Sequence, residues 1–503
     1  MRLMEIASLF PICELSADAD VEITGIETDS RKVKPGYLFI CVPGFTVDGH
    51  DYAAKAVENG AVALVVQRDL ALKVPTINVQ TLNVPTLKVK DCHYAAAVIG
   101  CHYYSYPSHE LGVIGVTGTN GKTTTTTIID HILRDQNKIT GLMGTIRTVI
   151  GDQTYPTANT TQEPLTVQRY LRQMLDIGAT YGIMEVSSHA LHMGRVKGVH
   201  FRTALFTNLT QDHLDYHPTM EDYLAAKGLL FSRLDNGFHA DPTRRQHAVL
   251  NVDDPASATL AGLTSVHIIT YGIDQPADIG ASNIRMTARG TEFRLCTYMG
   301  DVDVRLKLVG KFNVYNVLGA VAAVLLEGVP LKAIKNSLEK MSFVEGRMET
   351  VDEGQDYLLV VDYAHSPDSL ENVLSTIREF TEGRVITVFG CGGDRDRSKR
   401  PLMGEIAGRY SDYIIATSDN PRTEEPAAIL RDIEPGLLGF GAECYEMIVD
   451  RRLAIQKAVE LAAPGDVILI AGKGHETYQE INHIRHPFDD RDEARKAIRS
   501  AWK

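Results

Sequence analysis

The chain has 503 residues, 44% of them apolar and 23% charged, with a formal net charge of −13. That length exceeds a single hydrophobic core and suits about three domains, and the acidic balance lacks the basic footprint of general DNA or RNA binding. Seven cysteines without C-x-x-C spacing argue against a disulfide framework and for a reducing compartment. The opening MRLMEIASLFPICE is too short and too acidic for a signal peptide, and no run approaches about eighteen uncharged apolar residues, so a cytoplasmic protein is expected.

Taken in chain order, residues 1–110 read as a small α/β unit. Strands are predicted over 37–42, 61–66 and 76–79, with a helix in HDYAAKAVENGA closed by Gly60. The stretch YYSYPSHE, 103–110, is predicted to be a linker because Pro107 breaks the helical pattern. Residues 111–345 form a second unit: strand LGVIGV, a glycine-rich loop, a helix to Leu133, and strands over 181–186, 204–209, 247–251 and 267–271. Alternating runs in 280–310 predict antiparallel strands at a sheet edge. Residues 346–503 form a third unit in which YLLVVD, RVITVFG, YIIATSDNP and DVILIAGKGHE each run from apolar into polar residues and glycine. Parallel strands collect such loops at their carboxyl ends, where ligands bind. The predicted fold class is therefore three-domain α/β: a small N-terminal domain, a central phosphate-loop ATPase-type sheet and a Rossmann-like C-terminal domain.

The strongest local signal is GVTGTNGKTTTTT, 115–127. A strand feeds a glycine-rich turn, and GKT opens a helix whose N–H groups suit phosphate. Lys122 would reach terminal phosphates and the Thr123 hydroxyl would ligate Mg²⁺. The strict G-x-x-x-x-G-K-T pattern is not met, because Val116 stands at its first position and Gly118 lies inside the loop. Glu185 ends the strand YGIMEV, and His213 follows ALFTNL with Asp212 and Asp215. Alone, His213 reads as an ordinary surface histidine; beside a phosphate loop and Glu185 it becomes a metal candidate. Lys227 lies in a helix predicted over 221–231, and from the residues alone it reads as a snorkelling surface lysine.

With TDSRKVKPGYLF, NTT, MEVSSHAL, GKFNVYN, EGRME, DYAHSPDSL, GCGGDRDRSKRPLM, DNPR and AGKGHE in order along the whole chain, the sequence resembles the Mur ligases. These are ATP-dependent amide-bond ligases of peptidoglycan precursor assembly. The closest branch adds the third stem-peptide residue to UDP-N-acetylmuramoyl-L-alanyl-D-glutamate. The resemblance implies domains at 1–110 for the uridine nucleotide, 111–345 for ATP and catalysis, and 346–503 for the amino acid. It implies Ser30, His50, Asn159, Thr160, Thr161, Ser187 and Arg195 along the UDP-muramoyl-dipeptide path. It implies Gly118, Thr119, Asn120, Gly121, Lys122, Thr123 and Thr124 for ATP, with Asn313 and Asn316 of a KFNVYN turn on the adenine side. Arg347, Asp362 and His365 would close over ATP. Thr123, Glu185 and His213 would hold Mg²⁺, expected to be two ions, and Lys227 would be carbamylated by CO₂ to become a further anionic ligand. One departure is Gln162, where the family often has proline after the two threonines. The resemblance implies a monomer that forms an acyl phosphate and transfers it to an amine.

The amine is read from SDNPR, 418–422. Lysine and meso-diaminopimelate differ by a carboxylate on the distal carbon, which calls for a cation, best the planar fork of arginine. Arg422 supplies it after Asp419, Asn420 and Pro421; Arg395 adds charge, Glu476 takes the distal ammonium, and Gly472 allows close backbone approach. The resemblance agrees, since DNPR marks the diaminopimelate-adding members. The plain alternatives are an Asp-Asn turn before Pro421 and an exposed pair of Arg422 with Glu424 or Glu425. Rival readings are a lysine-adding ligase, a D-alanyl-D-alanine-adding ligase, a folylpolyglutamate ligase and a nucleotide-binding scaffold without catalysis.

Overall fold

The computed structural model describes all residues except 17–19, 45–46, 71–83, 158, 215, 288–289 and 502–503. The strand predicted over 76–79 and the candidate Asp215 thus lie outside the described residues. The chain divides into two compact units: Met1–Gly115, Lys138–Thr203 and Arg233–Gln246 form the first, and Val116–Asn137, Ala204–Ser232 and His247–Lys503 the second.

The first unit opens with β1 (Glu14–Leu15), β2 (Gly25–Glu27), β3 (Tyr37–Ile40), β4 (Ala61–Val66) and β5 (Thr86–Lys88), ordered β1-β5-β4-β3-β2. The β2–β5 pairs are parallel and β1 is an antiparallel edge. Strand alternation feeds two cores, as period-two side chains must. Leu38, Ile40, Ala63 and Val65 pack with Ile6 and Ile99, while Phe39, Leu64 and Val66 pack with Ala53 and Ala56. The helix predicted after His50 begins as a 3-10 turn, Gly49–Tyr52, and continues as Ala53–Glu58. Gly60 follows at φ +107°, and a Cβ there would lie 2.7 Å from the Pro35 backbone. The predicted linker contains its own 3-10 turn, Pro107–His109.

The first unit continues with β6 (Gly112–Thr117, which runs on into the second unit), β7 (Thr140–Met143), β8 (Thr148–Ile150), β9 (Gln153–Tyr155) and β10 (Tyr181–Glu185), ordered β6-β10-β7-β8-β9. β11 is Phe201–Phe206, not the predicted 204–209. The chain leaves the strand at Thr207 because Thr207 and Asn208 turn to hold the phosphate loop, as described below.

In the second unit come β12 (His247–Asn251), β13 (His267–Gly272), β14 (Ile279–Thr287), β15 (Gly290–Thr297) and β16 (Gly300–Leu306), ordered β16-β15-β14-β13-β12-β11-β6. β12, β13 and β14 are parallel, and β14, β15 and β16 form the predicted antiparallel edge. KFNVYN is not a turn: it is the start of the helix Lys311–Leu326, which Gly310 opens at φ +109°. The apolar run behind it, from Val317 to Val324, is buried all round, which favours continuing the helix over turning.

The rest of the second unit is β17 (Glu349–Thr350), β18 (Leu358–Asp362), β19 (Val385–Phe389), β20 (Tyr413–Thr417), β21 (Tyr445–Ile448) and β22 (Val467–Ala471), ordered β17-β18-β22-β19-β20-β21. All pairs but β17–β18 are parallel. Both faces are covered, so the strands read as continuous apolar runs. Val360, Phe389, Ile414 and Leu469 serve one core, and Val361, Val388, Ile415 and Ile470 the other. A hairpin of β23 (Tyr478–Ile481) and β24 (Ile484–Pro487) follows. Among the described residues all seven cysteines are free thiols and no helix is long and apolar enough to cross a membrane.

One ion pair in this region is wholly buried. Arg451 Nε and Nη2 each donate to Asp490 at 2.7 Å, and both side chains are 0% exposed. Removing one partner strands the other charge. Arg451→Met is expected to cost about 3–5 kcal/mol, read as a lowered urea midpoint, with Arg451→Met/Asp490→Leu recovering most of it. A loss under about 1 kcal/mol in the single variant would contradict the pairing.

Candidate active site

The phosphate loop follows β6 and leads into the helix Lys122–Asp135. Gly118 and Gly121 have φ +150° and +86°, and a Cβ on them would lie 1.8 Å from Thr207 Oγ1 and 2.2 Å from Asn316 Oδ1. Only glycine fits either position. The residues after β11 hold the loop in shape. Asn120 N–H donates to Asn208 Oδ1 at 2.9 Å, Thr207 Oγ1 donates to the Asn120 carbonyl at 2.6 Å, and Thr119 N–H donates to the Asn208 carbonyl at 2.8 Å. Thr119 Oγ1 also meets Tyr223 Oη at 3.2 Å. Lys122 folds back on the loop, its Nζ donating to the carbonyls of Gly118 and Thr119 at 2.9 and 2.8 Å. Thr123 and Thr124 are buried in the first helical turn.

Residues 346–368 meet this loop within the same unit. Arg347 Nη2 donates to Thr123 Oγ1 at 3.1 Å, and its guanidinium lies 4.8 Å from the Tyr363 ring centroid. Asp368 Oδ2 accepts from Asn120 Nδ2 at 2.5 Å. Asp362 is buried and accepts from Met348 N–H at 2.7 Å. Burial raises its carboxyl above the usual range against the pull of Arg347. His365 is exposed, its Nδ1 2.7 Å from the Tyr363 carbonyl. Asn313 and Asn316 are buried: Asn313 Nδ2 donates to the Val309 carbonyl, and Asn316 Nδ2 to Asn313 Oδ1. Asn316 thus supports the loop at Gly121 from beneath.

Lys227 corrects its pattern-based reading. In the helix Met220–Ser232 its side chain does not snorkel but is 1% exposed, with Nζ 4.1 Å from the Tyr223 ring centroid. Burial drives its pKa well below that of an ordinary lysine; Lys122 pushes the same way, and Asp212 and Asp254 only partly oppose. Both effects favour the neutral, nucleophilic amine over the ammonium. His213, at φ +57°, stands edge-on to Tyr223, the ring centroids 6.1 Å apart. Burial lowers its pKa to about 4 against Asp212, leaving the neutral imidazole that ligates metals.

The first unit holds its own group of candidates. Glu185, 1% exposed, accepts from Thr145 N–H at 2.8 Å and Thr145 Oγ1 at 2.9 Å. Thr160 Oγ1 lies 3.1 Å from Thr145 Oγ1. Thr161 Oγ1 donates to the Glu185 carbonyl at 2.9 Å and accepts from Ser187 N–H at 3.1 Å, while Arg195 Nη1 donates to the Thr161 carbonyl at 3.1 Å. Gln162 is buried, and its amide donates to the carbonyl of exposed Asn159 at 3.2 Å. Ser30 is buried in a 3-10 turn. The His50 ring is spent internally, with Nδ1 2.6 Å from Asp48 Oδ1 and Nε2 accepting from Gln67 N–H at 3.1 Å. The His50 backbone is engaged as well, its N–H donating to Asp48 Oδ1 at 2.9 Å and its carbonyl accepting from Ala53 N–H.

The DNPR loop leaves β20 and is templated by the β23–β24 hairpin. Arg422, at φ +50°, donates N–H to the Glu480 carbonyl at 3.1 Å and accepts from Asn482 N–H at 2.7 Å. Its Nη1 donates to the Gly393 carbonyl at 2.7 Å. Among the described residues Arg422 forms no pair with Glu424 or Glu425: Glu424 is taken by buried Arg400 at 2.7 Å and Glu425 by Arg431 at 3.2 Å. Asp419, Asn420 and Pro421 are buried, and Asp419 Oδ2 has no hydrogen-bond partner among the described residues. Gly472, at φ +118°, clears Asp419 Oδ2, which a Cβ would approach to 2.5 Å. Asn420 Nδ2 donates to Glu476 Oε2 at 2.8 Å. Arg395 is exposed, its Cγ 3.8 Å from where a Gly392 Cβ would sit; Arg422 Nη1 is 2.9 Å from the same point.

Three family models match the chain: the Mur ligase family catalytic domain over 22–106, the Mur ligase middle domain over 116–324 and the Mur ligase glutamate ligase domain over 346–474. A curated relative from Geobacillus thermodenitrificans, named UDP-N-acetylmuramoyl-L-alanyl-D-glutamate--2,6-diaminopimelate ligase, is 52% identical over 499 residues, 99% of each chain. The chain belongs to the Mur ligase family. A same-named relative from Geobacillus kaustophilus is 51% identical, again over 99% of each chain. A solved structure of a ligase of that name, 34% identical, superposes with a TM-score of 0.67 over 99% of each chain. This Mur ligase shares the three-part α/β architecture that those models and that structure describe.

The reading from sequence did not single out Thr207, Asn208, Tyr223, Asp368 or Lys473. Asp368 and Lys473 stand inside DYAHSPDSL and AGKGHE, but nothing in their spacing announces a partner. Thr207 and Asn208 were absorbed into the strand predicted over 204–209.

Proposed function

We propose that this Mur ligase adds meso-diaminopimelate to the D-glutamate γ-carboxylate of UDP-N-acetylmuramoyl-L-alanyl-D-glutamate, with ATP, in peptidoglycan precursor synthesis. The observation that carries this is Arg422: among the described residues it pairs with no carboxylate, and it stands on the loop whose Asn420 holds Glu476. A cation beside an acid complements the distal carboxylate and ammonium of diaminopimelate, whereas lysine has no use for the cation. The names borne by the full-length relatives support the same reading. Residues 1–110 bind the uridine nucleotide, 111–345 ATP, and 346–503 the amine.

A γ-carboxylate oxygen attacks the ATP γ-phosphorus, and the bond to the ADP oxygen breaks. The resulting acyl phosphate is attacked by the amine; the amine loses a proton and the C–O bond to phosphate breaks. Lys122 leaves the carbonyls of Gly118 and Thr119 for the more negative phosphate oxygens, and the N–H groups of Gly121 to Thr123 cradle them. Arg347 adds positive charge beside Thr123, while Thr160, Thr161, Ser187 and Arg195 orient the dipeptide. Magnesium, when bound, neutralises charge on the transferring phosphoryl group. Thr123, Glu185 and His213 carry a hydroxyl, a carboxylate and an imidazole, each a donor of the kind that suits an ion keeping several waters. Lys227, as an ammonium, would repel that ion; as a carbamate it offers oxygen. The seven free cysteines suit a reducing compartment.

Phosphate release with Mg-ATP and the UDP-linked dipeptide, assayed with meso-diaminopimelate, with L-lysine and without amine, tests the reading. Release driven by diaminopimelate, with a tripeptide product by mass, is expected. A preference for lysine would overturn the assignment of Arg422.

A further inference from the structure

Lys473 follows β22 and is 0% exposed. Its Nζ lies 3.0 Å from Asn420 Oδ1, 3.0 Å from Glu476 Oε2 and 5.5 Å from the Tyr478 ring centroid. A buried ammonium persists only where it is paired, and both of its polar partners belong to the amine site proposed above. Glu480 N–H donates to the same Asn420 Oδ1 at 2.9 Å, and Asn420 Nδ2 donates to Glu476 Oε2 at 2.8 Å. The amide of Asn420 thus has one orientation: flipped, its NH₂ would face two donors. Glu476 Oε2 already takes two donors, which leaves Oε1 as the oxygen for a ligand.

We infer that Lys473 is a positioning residue for the amine donor: it locks the Asn420 amide and turns Glu476 so that Oε1 meets the distal ammonium. This rests on the reading of the DNPR loop as the diaminopimelate site. Among the described residues Lys473 bonds to neither the phosphate loop nor its supports, so its effect falls on one substrate. It also explains a buried lysine three positions before Glu476, where core packing alone would select an apolar side chain.

The test uses the full chain carrying Lys473→Met or Lys473→Gln, each with and without Glu476→Gln, in amine-dependent phosphate release. Lys473→Met is expected to raise KM for meso-diaminopimelate by about tenfold or more, with kcat within about threefold, the signature of lost binding and not lost chemistry. KM for ATP and for the UDP-linked dipeptide should stay unchanged. In the Glu476→Gln background the same substitution should add less than about threefold, because it acts through that carboxylate. Lys473→Gln, which keeps a donor, should fall between. A fall in kcat with all KM values shifted, full additivity with Glu476→Gln, or loss of the cooperative melt in both variants would overturn the inference and assign Lys473 to the core. Wild-type protein inert toward diaminopimelate would instead remove the reading of the site beneath it.

Discussion

Replacing Lys227 with methionine is expected to lower kcat about 10³-fold while making the protein more resistant to urea than bicarbonate-depleted wild type. The reason is the cost of the native side chain. Burial holds the Lys227 pKa well below that of the unfolded chain, with Lys122 adding repulsion. Between those two pKa values the unfolded state binds one proton more than the folded state. Stability therefore rises with pH across that window, and at neutral pH the unmodified amine is a net loss. Carbamylation reverses this. The Nζ lone pair attacks CO₂, an N–C bond forms, one C–O π pair moves to oxygen, and a proton leaves the nitrogen. The anion then faces Lys122 with attraction in place of repulsion. A modification that occurs only in the folded state stabilises it by mass action. Added bicarbonate should thus raise both Tm and kcat of CO₂-depleted wild type. The methionine variant should show neither response. Activity retained by that variant, or a depleted wild type indifferent to bicarbonate, would remove the carbamate from the mechanism.

The history of Lys227 shows what a sequence can carry. The C-terminal sheet was legible because strands covered on both faces must be apolar at successive positions, as VITVF and VILIA are. The phosphate loop was legible because the positive φ of Gly118 and Gly121 demands glycine itself. Lys227 was not, since a lysine among apolar residues on a helix fits burial and snorkelling equally well; only the surrounding walls decide. KFNVYN was misread because two asparagines look like turn chemistry, yet in the fold they serve a buried helix start by bonding Val309 and each other. Thr207 and Asn208 looked like the end of a strand because their task is to hydrogen-bond a loop about ninety residues away. Contacts of that kind belong to the fold and leave no periodicity behind.

Arg422→Ala is expected to raise KM for meso-diaminopimelate by about 10²-fold, the usual weight of one desolvated charge pair, while leaving kcat within a few-fold. The loop survives the substitution because its conformation does not depend on the guanidinium. The backbone of residue 422 is tied at both ends to the hairpin, through the Glu480 carbonyl and Asn482 N–H, and Asn420 is held by Lys473 and Glu476. Alanine takes the same positive φ with no more strain than arginine bears. What is lost is the fork: one nitrogen stays on the Gly393 carbonyl, and the other donors are the ones a carboxylate can take. L-Lysine lacks that carboxylate, so its kinetics should not change, and the preference between the two amines should collapse in the variant. Arg422→Lys separates charge from shape. It keeps the cation but not the planar pair of donors, and an increase of about tenfold in KM is expected. Unchanged diaminopimelate kinetics in both variants would show that the distal carboxylate is read elsewhere, with Arg395 the next cation to replace.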